Sequence, residues 1–294
     1  SATTRSRPAG SPAGVCTCGP VDSNRGDDVG TPYLELSYTQ VGLAASLILI
    51  NGAISVLLKL GLERRLLLAA VCTVVQLLLI GLVLEWVFRV DRWYVVLALM
   101  TAMTLIAGVA AIQRTHVRYP GIWTRSVASV WASSWLMAAL AIAVLVRVRP
   151  WYSPQYAIPL LGMILGNTLN GISLGLDRLG GELAGKRDQV EALLALGATR
   201  WEAARGPIQQ AVRTGLIPTI NAMMVVGIVS LPGMMTGQLL AGASPVEAVK
   251  YQIVILFLIA SGTALGTVSV VLLSYRRLFN EHHQFLNALL SERH

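Results

Sequence analysis

Seven apolar stretches, none with a charge in its interior, divide most of this chain at near-regular intervals: residues 41–58, 66–84, 93–112, 127–146, 157–176, 216–240 and 251–273. An α-helix needs ~20 apolar residues to cross the hydrocarbon core of a bilayer. Hydrocarbon offers backbone amides no partner, so a crossing segment must satisfy its own hydrogen bonds, as a helix does and an isolated strand does not. Only 13% of residues are charged and the mean hydropathy is strongly positive, which excludes an ordinary soluble domain. The sequence predicts an all-α membrane protein with seven transmembrane helices.

The basic residues orient these helices. Lys59, Arg64 and Arg65 follow the first stretch and Arg114, Arg118 and Arg125 the third. Arg178, Lys186, Arg187, Arg200, Arg205 and Arg213 follow the fifth, and Arg276, Arg277 and Arg293 the last. Fifteen cations fall on that side against five on the other, namely Arg89, Arg92, Arg147, Arg149 and Lys250. Cytoplasmic loops collect Lys and Arg, so the N-terminus is expected outside and the C-terminus in the cytoplasm. Trp86, Trp93 with Tyr94, Trp151 with Tyr152, and Tyr251 fall at the expected interfaces. The net charge of +8 therefore reads as topology and not as nucleic-acid binding, for which no aromatic-interleaved basic patch exists.

Residues 1–32 are rich in Ser, Pro, Gly and Thr and are expected to form a disordered tail, native or added. Cys16 and Cys18 in it are a weak metal or redox signal, and Cys72 in the second helix reads as a small buried apolar residue. Residues 33–281 make the transmembrane domain and residues 282–294 a short cytoplasmic tail.

Between the fifth and sixth stretches, residues 177–214 are the one long polar segment of that domain. It reads as two short helices around a turn. The first runs through Gln189 to Leu196 and stops at Gly197, a good residue to follow a helix C-terminus. Thr199 and Glu202 then have the spacing of a capping box, and Gly206-Pro207 should kink or end the second helix. Leu193, Leu194, Leu196 and Trp201 on such a pair suit a groove in a partner protein; an amphipathic pair resting on the membrane or on the bundle's base is the alternative. Upstream, Gly180, Gly185 and Lys186 have phosphate-loop spacing, but Arg187 replaces the Mg²⁺-binding hydroxyl and a helix precedes where a strand is needed. If the chain moves something with ATP, another polypeptide hydrolyses it.

Glu191-Ala192-Leu193, with Gly197 six residues after the glutamate, resembles the E-A-A-x-x-x-G motif of ABC-transporter permeases. The importer ending I-x-L-P is replaced by Pro207-Ile208-Gln209-Gln210. Leu231-Pro232-Gly233-Met234-Met235-Thr236-Gly237, then Gly242-Ala243-Ser244-Pro245 and Tyr251-Gln252-Ile253, look like the FetB-type permeases, as do Gly162-Met163 and Gly166-Asn167. That resemblance covers residues 34–284 and implies the membrane subunit of a bacterial inner-membrane exporter linked to iron efflux. It implies pairing with a FetA-like ATPase that holds the ATP and Mg²⁺, with no cofactor on this chain; seven helices with one coupling segment make half of a pathway, so a homodimer is expected. Glu191, Ala192, Leu193, Leu194, Gly197, Thr199, Trp201 and Glu202 would then couple to the ATPase. Plant relatives of the family are tied to aluminium tolerance. Some members carry Asp and Lys where this chain has Asn221 and Met224.

A pathway has several candidate linings. Pro218, Gly227, Pro232 and Gly233 weaken the sixth helix, and a break at Leu231-Pro232-Gly233 would free carbonyls able to meet a cation, or be a structural kink only. Asn167 and Asn170 share a face of the fifth helix, where Gly162-x-x-x-Gly166 and Gly171-x-x-x-Gly175 allow close helix approach. Asn221 and Gln252 are further polar groups inside helices, and each either lines the route or bonds between helices. Met234 and Met235 flank the expected break; thioethers suit Cu(I) better than Fe(II) and equally fill gaps in packing. His116 is isolated and the adjacent His282 and His283 point apart, so the metal ligands, if any, are unknown from sequence. Glu85 and Glu247, with Asp91, lie near outer helix ends, where they release a cation or merely solvate the ends.

Two other classes compete. A stand-alone secondary transporter usually keeps a carboxylate or histidine within its spans, and none lies between the helix ends here. A seven-helix receptor needs no such group; a retinal protein would need a mid-helix lysine, and Lys250 is at the outer mouth of the last helix. No nucleophile with its base and no complete phosphate loop points to an enzyme.

Overall fold

The apolar stretches fold as helices whose ends follow local signals. The computed structural model describes residues 37–90, 92–113, 117–118, 121–145, 150–280, 285 and 291–292. The tail at 1–32, Asp91, His116 and the His282–His283 pair lie outside the described residues. In chain order the helices are α1 (Tyr38–Leu57), α2 (Glu63–Val90), α3 (Trp93–Gln113) and α4 (Ile122–Leu140), the last running into a π-helical turn, Ala141–Leu145. Then follow α5 (Pro154–Gly185), α6 (Arg187–Ala195), α7 (Arg200–Val225), α8 (Gly233–Leu240) and α9 (Pro245–Leu278). A two-residue antiparallel ladder joins Val117–Arg118 to Ser291–Glu292. Pro154 and Pro245 open α5 and α9, the helix position at which a missing N–H costs nothing.

Among the described residues six helices, α1 to α5 and α9, are long and apolar enough to cross a membrane. The expected seventh crossing, at 216–240, is not one helix. Its first part is the end of α7, its last part is the eight-residue α8, and a turn at 226–232 separates them. Gly227 turns the chain at φ 82°, a conformation that costs glycine little. Pro232, which has no N–H to donate backward, ends the turn as the residue before α8. The break thus begins five residues before the Leu231-Pro232-Gly233 site expected from sequence.

Gly206-Pro207 does not end its helix, and Pro218, expected to weaken the sixth stretch, does not interrupt it. α7 runs without a break through Pro207 and Pro218. Ala203, Ala204, Pro207, Ile208 and Ala211 are buried on the side where α7 meets α5 and α9. Neighbouring helices hold a span together through a proline's lost hydrogen bond.

α5 is the hub, packed against α3, α4, α7 and α9. Its 32 residues and the 34 of α9 make rods of about 48 and 51 Å, longer than a ~30 Å hydrocarbon core, so both project beyond it. Where α5, α7 and α9 meet, a Cβ added at Gly215 would lie 2.6 Å from the Gly171 carbonyl oxygen, and one at Gly175 2.9 Å from the Thr267 methyl. Of the two glycine pairs noted on α5, Gly171 and Gly175 serve this close approach; Gly166 has nothing within 4 Å of its missing Cβ.

α1 and α2 form an arm on this bundle. α1 packs mainly on α2, and α2 reaches the core through Val83, Leu84 and the buried Val87. No residue of the most apolar 18-residue window of α2 is buried, against 61% for α5. Cys72 on this arm is exposed, not buried as expected, because no other helix covers its face.

Candidate functional site

The residues singled out for coupling gather where α5, α6 and α7 join. Leu196 ends α6, Gly197 takes φ 91°, and the N–H groups of Gly197 and Ala198 reach back to the carbonyls of Leu194 and Leu193 at 3.1 and 3.0 Å. This paired closure satisfies the last carbonyls of the helix. Thr199 then caps α7: its hydroxyl accepts from the Glu202 N–H at 3.3 Å, while its own N–H donates to Glu202 Oε2 at 2.8 Å. The Thr199 backbone N–H, and next its hydroxyl, hold the Glu202 carboxyl below the usual glutamate range. Arg187 Nε meets Glu191 Oε1 at 2.8 Å along the exposed side of α6.

The corner is fastened to the long helices at three points. Val190 is buried at the base of α6. The Trp201 ring stands edge-on to Tyr275 of α9, with centroids 5.7 Å apart. Arg200 Nη1 donates to the Asn280 carbonyl at 3.3 Å. A fourth feature, Glu182, was not anticipated from sequence. It is 8% exposed near the end of α5, with Arg178 and Lys186 each 2.6 Å away, one turn before and one turn after it. The Arg-x-x-x-Glu-x-x-x-Lys spacing was legible, but its burial was not. Leu194 turns inward onto the core, whereas Leu193, Trp201 and above all Leu196, 85% exposed, stand outward beside Glu191 and Ala192. Leu193, Leu196 and Trp201 are thus an apolar knob beside charged side chains, a shape open to a groove in another protein or to the membrane surface.

The second region is the interrupted span. At the end of α7 the Gly227 N–H turns to the Ser230 carbonyl and the Ile228 N–H to that of Val225. A continuing helix would have sent them to Met223 and Met224. Asn221, Met224, Ile228, Val229 and Leu231 are exposed here. Pro232 accepts from Thr236, and Gly233 opens α8 on an exposed face. Met234 and Met235 are half-buried, with Met234 packed on the core.

The other pathway candidates sit in unlike surroundings. Asn167 donates to the Met163 carbonyl of its own helix at 2.9 Å, and Asn170 is exposed on α5. Gln252 is buried in α9 with its Oε1 unpartnered. Glu85 and Glu247 are exposed and paired with Arg89 and Lys250 on their own helices, at 2.5 and 2.7 Å. Among the described residues no three His, Cys, Asp or Glu side chains gather as metal ligands. Beside Thr168, which lies between Asn167 and Asn170, the hydroxyls of Ser129, Ser133, Thr263 and Thr267 are buried on α4 and α9 and were not singled out from sequence. Gly262-x-x-x-Gly266 beside Thr263-x-x-x-Thr267 was the signal for that close seam.

Residues 38–279 match the family described as Uncharacterised protein family UPF0014. A UPF0014 membrane protein of Synechocystis is 41% identical over 256 residues, 86% of this chain and 98% of its own length. The probable iron export permease protein FetB of Escherichia coli is 32% identical over 264 residues, 88% of this chain and 98% of its own. Protein ALUMINUM SENSITIVE 3 of Arabidopsis thaliana is 29% identical over 233 residues, 79% of this chain and 84% of its own. No solved structure matches the chain.

Proposed function

The chain belongs to the UPF0014 family of membrane proteins, and from that premise we propose that it is the transmembrane subunit of an ATP-driven ABC exporter. Its cargo is iron or another metal ion, by likeness to the relative named as a probable iron export permease. It is a multi-pass membrane protein, in this reading of a bacterial inner membrane, with its N-terminus outside and α6 in the cytoplasm. Two copies work with two FetA-like ATPase subunits, which bind ATP and Mg²⁺ and do the hydrolysis, so this chain is not itself the enzyme.

The corner at α6 carries this reading. Leu193, Leu196 and Trp201 present an apolar surface to a partner, and Val190, Trp201 on Tyr275, and Arg200 on Asn280 tie that surface to α9 and the bundle. Closure of ATP-bound partners against α6 would then move the long rods α5, α7 and α9 together. Their tight junction at Gly171, Gly215 and Thr267 passes the motion on without slack.

The test is purification of the tagged chain from its native membranes in mild detergent, with partners identified by mass spectrometry. A stoichiometric soluble subunit with a complete G-x-x-x-x-G-K-[ST] loop is expected. Leu193→Arg should lose that subunit and metal efflux while the chain still inserts. Absence of any ATPase, under conditions that keep other complexes whole, would point to an autonomous transporter.

A further inference from the structure

We infer that the exposed stripe of α7, with the turn that follows it, is the seam against a second copy of this chain, and that the pathway runs between the copies along that seam. This rests on the exporter reading above and says which face completes it.

Depth comes first. Arg213 is the last charged residue of α7, and the helix runs on to Val225, about 18 Å further at 1.5 Å per residue. With Arg213 at one interface, the turn at 226–232 lies within a ~30 Å hydrocarbon core, past its middle. α8, about 12 Å long, covers what remains and cannot cross alone.

Irregular backbone at that depth is tolerated only against protein or a water-filled cavity. Yet the turn is bare: Ile228 is 87% exposed, and the carbonyls of Met223 and Met224 have lost their helical donors to Ser230 and Val225. One to three helical turns below, Ile217, Ile220, Asn221 and Met224 form one exposed stripe with the spacing of a helix–helix seam. Lipid suits the isoleucines but offers nothing to the Asn221 carboxamide or to freed carbonyls. The chain's own arm does not supply the cover, since α2 packs on α3 and α5.

A second copy does. In a two-fold interface a residue near the axis meets its own counterpart, so it must be complementary to itself. A carboxamide is, having both donor and acceptor. A single Asn in an otherwise apolar seam also fixes register between helices. The two turns then face each other across the axis, and their carbonyls line a polar route that one copy leaves half-built.

Cysteine cross-linking in membranes tests this. With Cys16, Cys18 and Cys72 changed to Ser, the variants Ile217→Cys, Asn221→Cys and Met224→Cys should oxidise to dimers that reduction reverses. Their yield should exceed several-fold that of Phe257→Cys on α9 or Leu78→Cys on α2, both exposed. The mass of the wild-type complex in mild detergent is measured alongside. A two-copy complex that cross-links only through Phe257→Cys or Leu78→Cys overturns the seam but leaves the homodimer. A one-copy complex with no cross-link at α7 overturns both.

Discussion

A methyl group at Gly215 would sit 2.6 Å from the Gly171 carbonyl oxygen and 2.7 Å from the Thr267 methyl. The first neighbour is backbone, which cannot swing aside, so α7 would have to move off α5. Overpacking of this kind costs roughly 1–3 kcal/mol. Gly215→Ala should therefore lower the midpoint of thermal unfolding in detergent. Gly166→Ala, on the same hub helix with nothing within 4 Å, should leave it unchanged or raise it, since alanine favours a helix by about 1 kcal/mol over glycine. Equal effects at the two sites would mean that the junction is looser than its geometry. Sequence spacing marked Gly162-x-x-x-Gly166 and Gly171-x-x-x-Gly175 alike. Only contact with α7 and α9 separates them, and that information is not local.

α7 begins with a bond that pH controls. Glu202 accepts from the Thr199 N–H and hydroxyl, each at 2.8 Å, so its carboxyl titrates below the usual range. A lowered folded-state value means the cap's contribution is complete above the ordinary glutamate range and is lost as pH falls through the lowered value. Amide exchange at 199–203, corrected for its intrinsic pH dependence, should rise several-fold across that acid window in the native chain. Glu202→Gln keeps an acceptor oxygen but gains no proton, so its exchange should show no acid step; a step that persists would assign it to another group. The Thr199–Glu202 box and the Gly197 stop were legible because both ends of each signal lie within a few residues. Pro207 does not end its helix for the opposite reason, burial against α5 and α9 holding it. The break moved to Gly227 because a positive φ there turns the chain before Pro232 can. Trp201 meets Tyr275, and Glu182 is buried by tertiary packing, so neither environment could be read from neighbours in sequence.

At the scale of the whole molecule, the charge-free runs located the membrane helices but not how they group. Apolar surface is as content in lipid as against another helix, so hydropathy is silent on which spans form the core. Packing separates a bundle of α3, α4, α5, α7 and α9 from the α1–α2 arm. Among the residues of α2, Val87 is the buried one, with Val83 and Leu84 packed beside it. An arm held at one end of one helix should swing when that hold is weakened. Val87→Ala removes two methyl groups there, and cavity-forming changes of this size cost on the order of 1 kcal/mol. That is small for the bundle but a large share of so narrow an attachment. Spin labels at Leu78 on α2 and Leu174 on α5, in a cysteine-free background, should show a distance distribution that broadens in Val87→Ala. Labels at Leu174 and Phe257, both on the bundle, should keep theirs. Broadening of both pairs would mean that arm and bundle are one cooperative body; broadening of neither would mean that lipid or a second copy holds the arm more firmly than Val87 does.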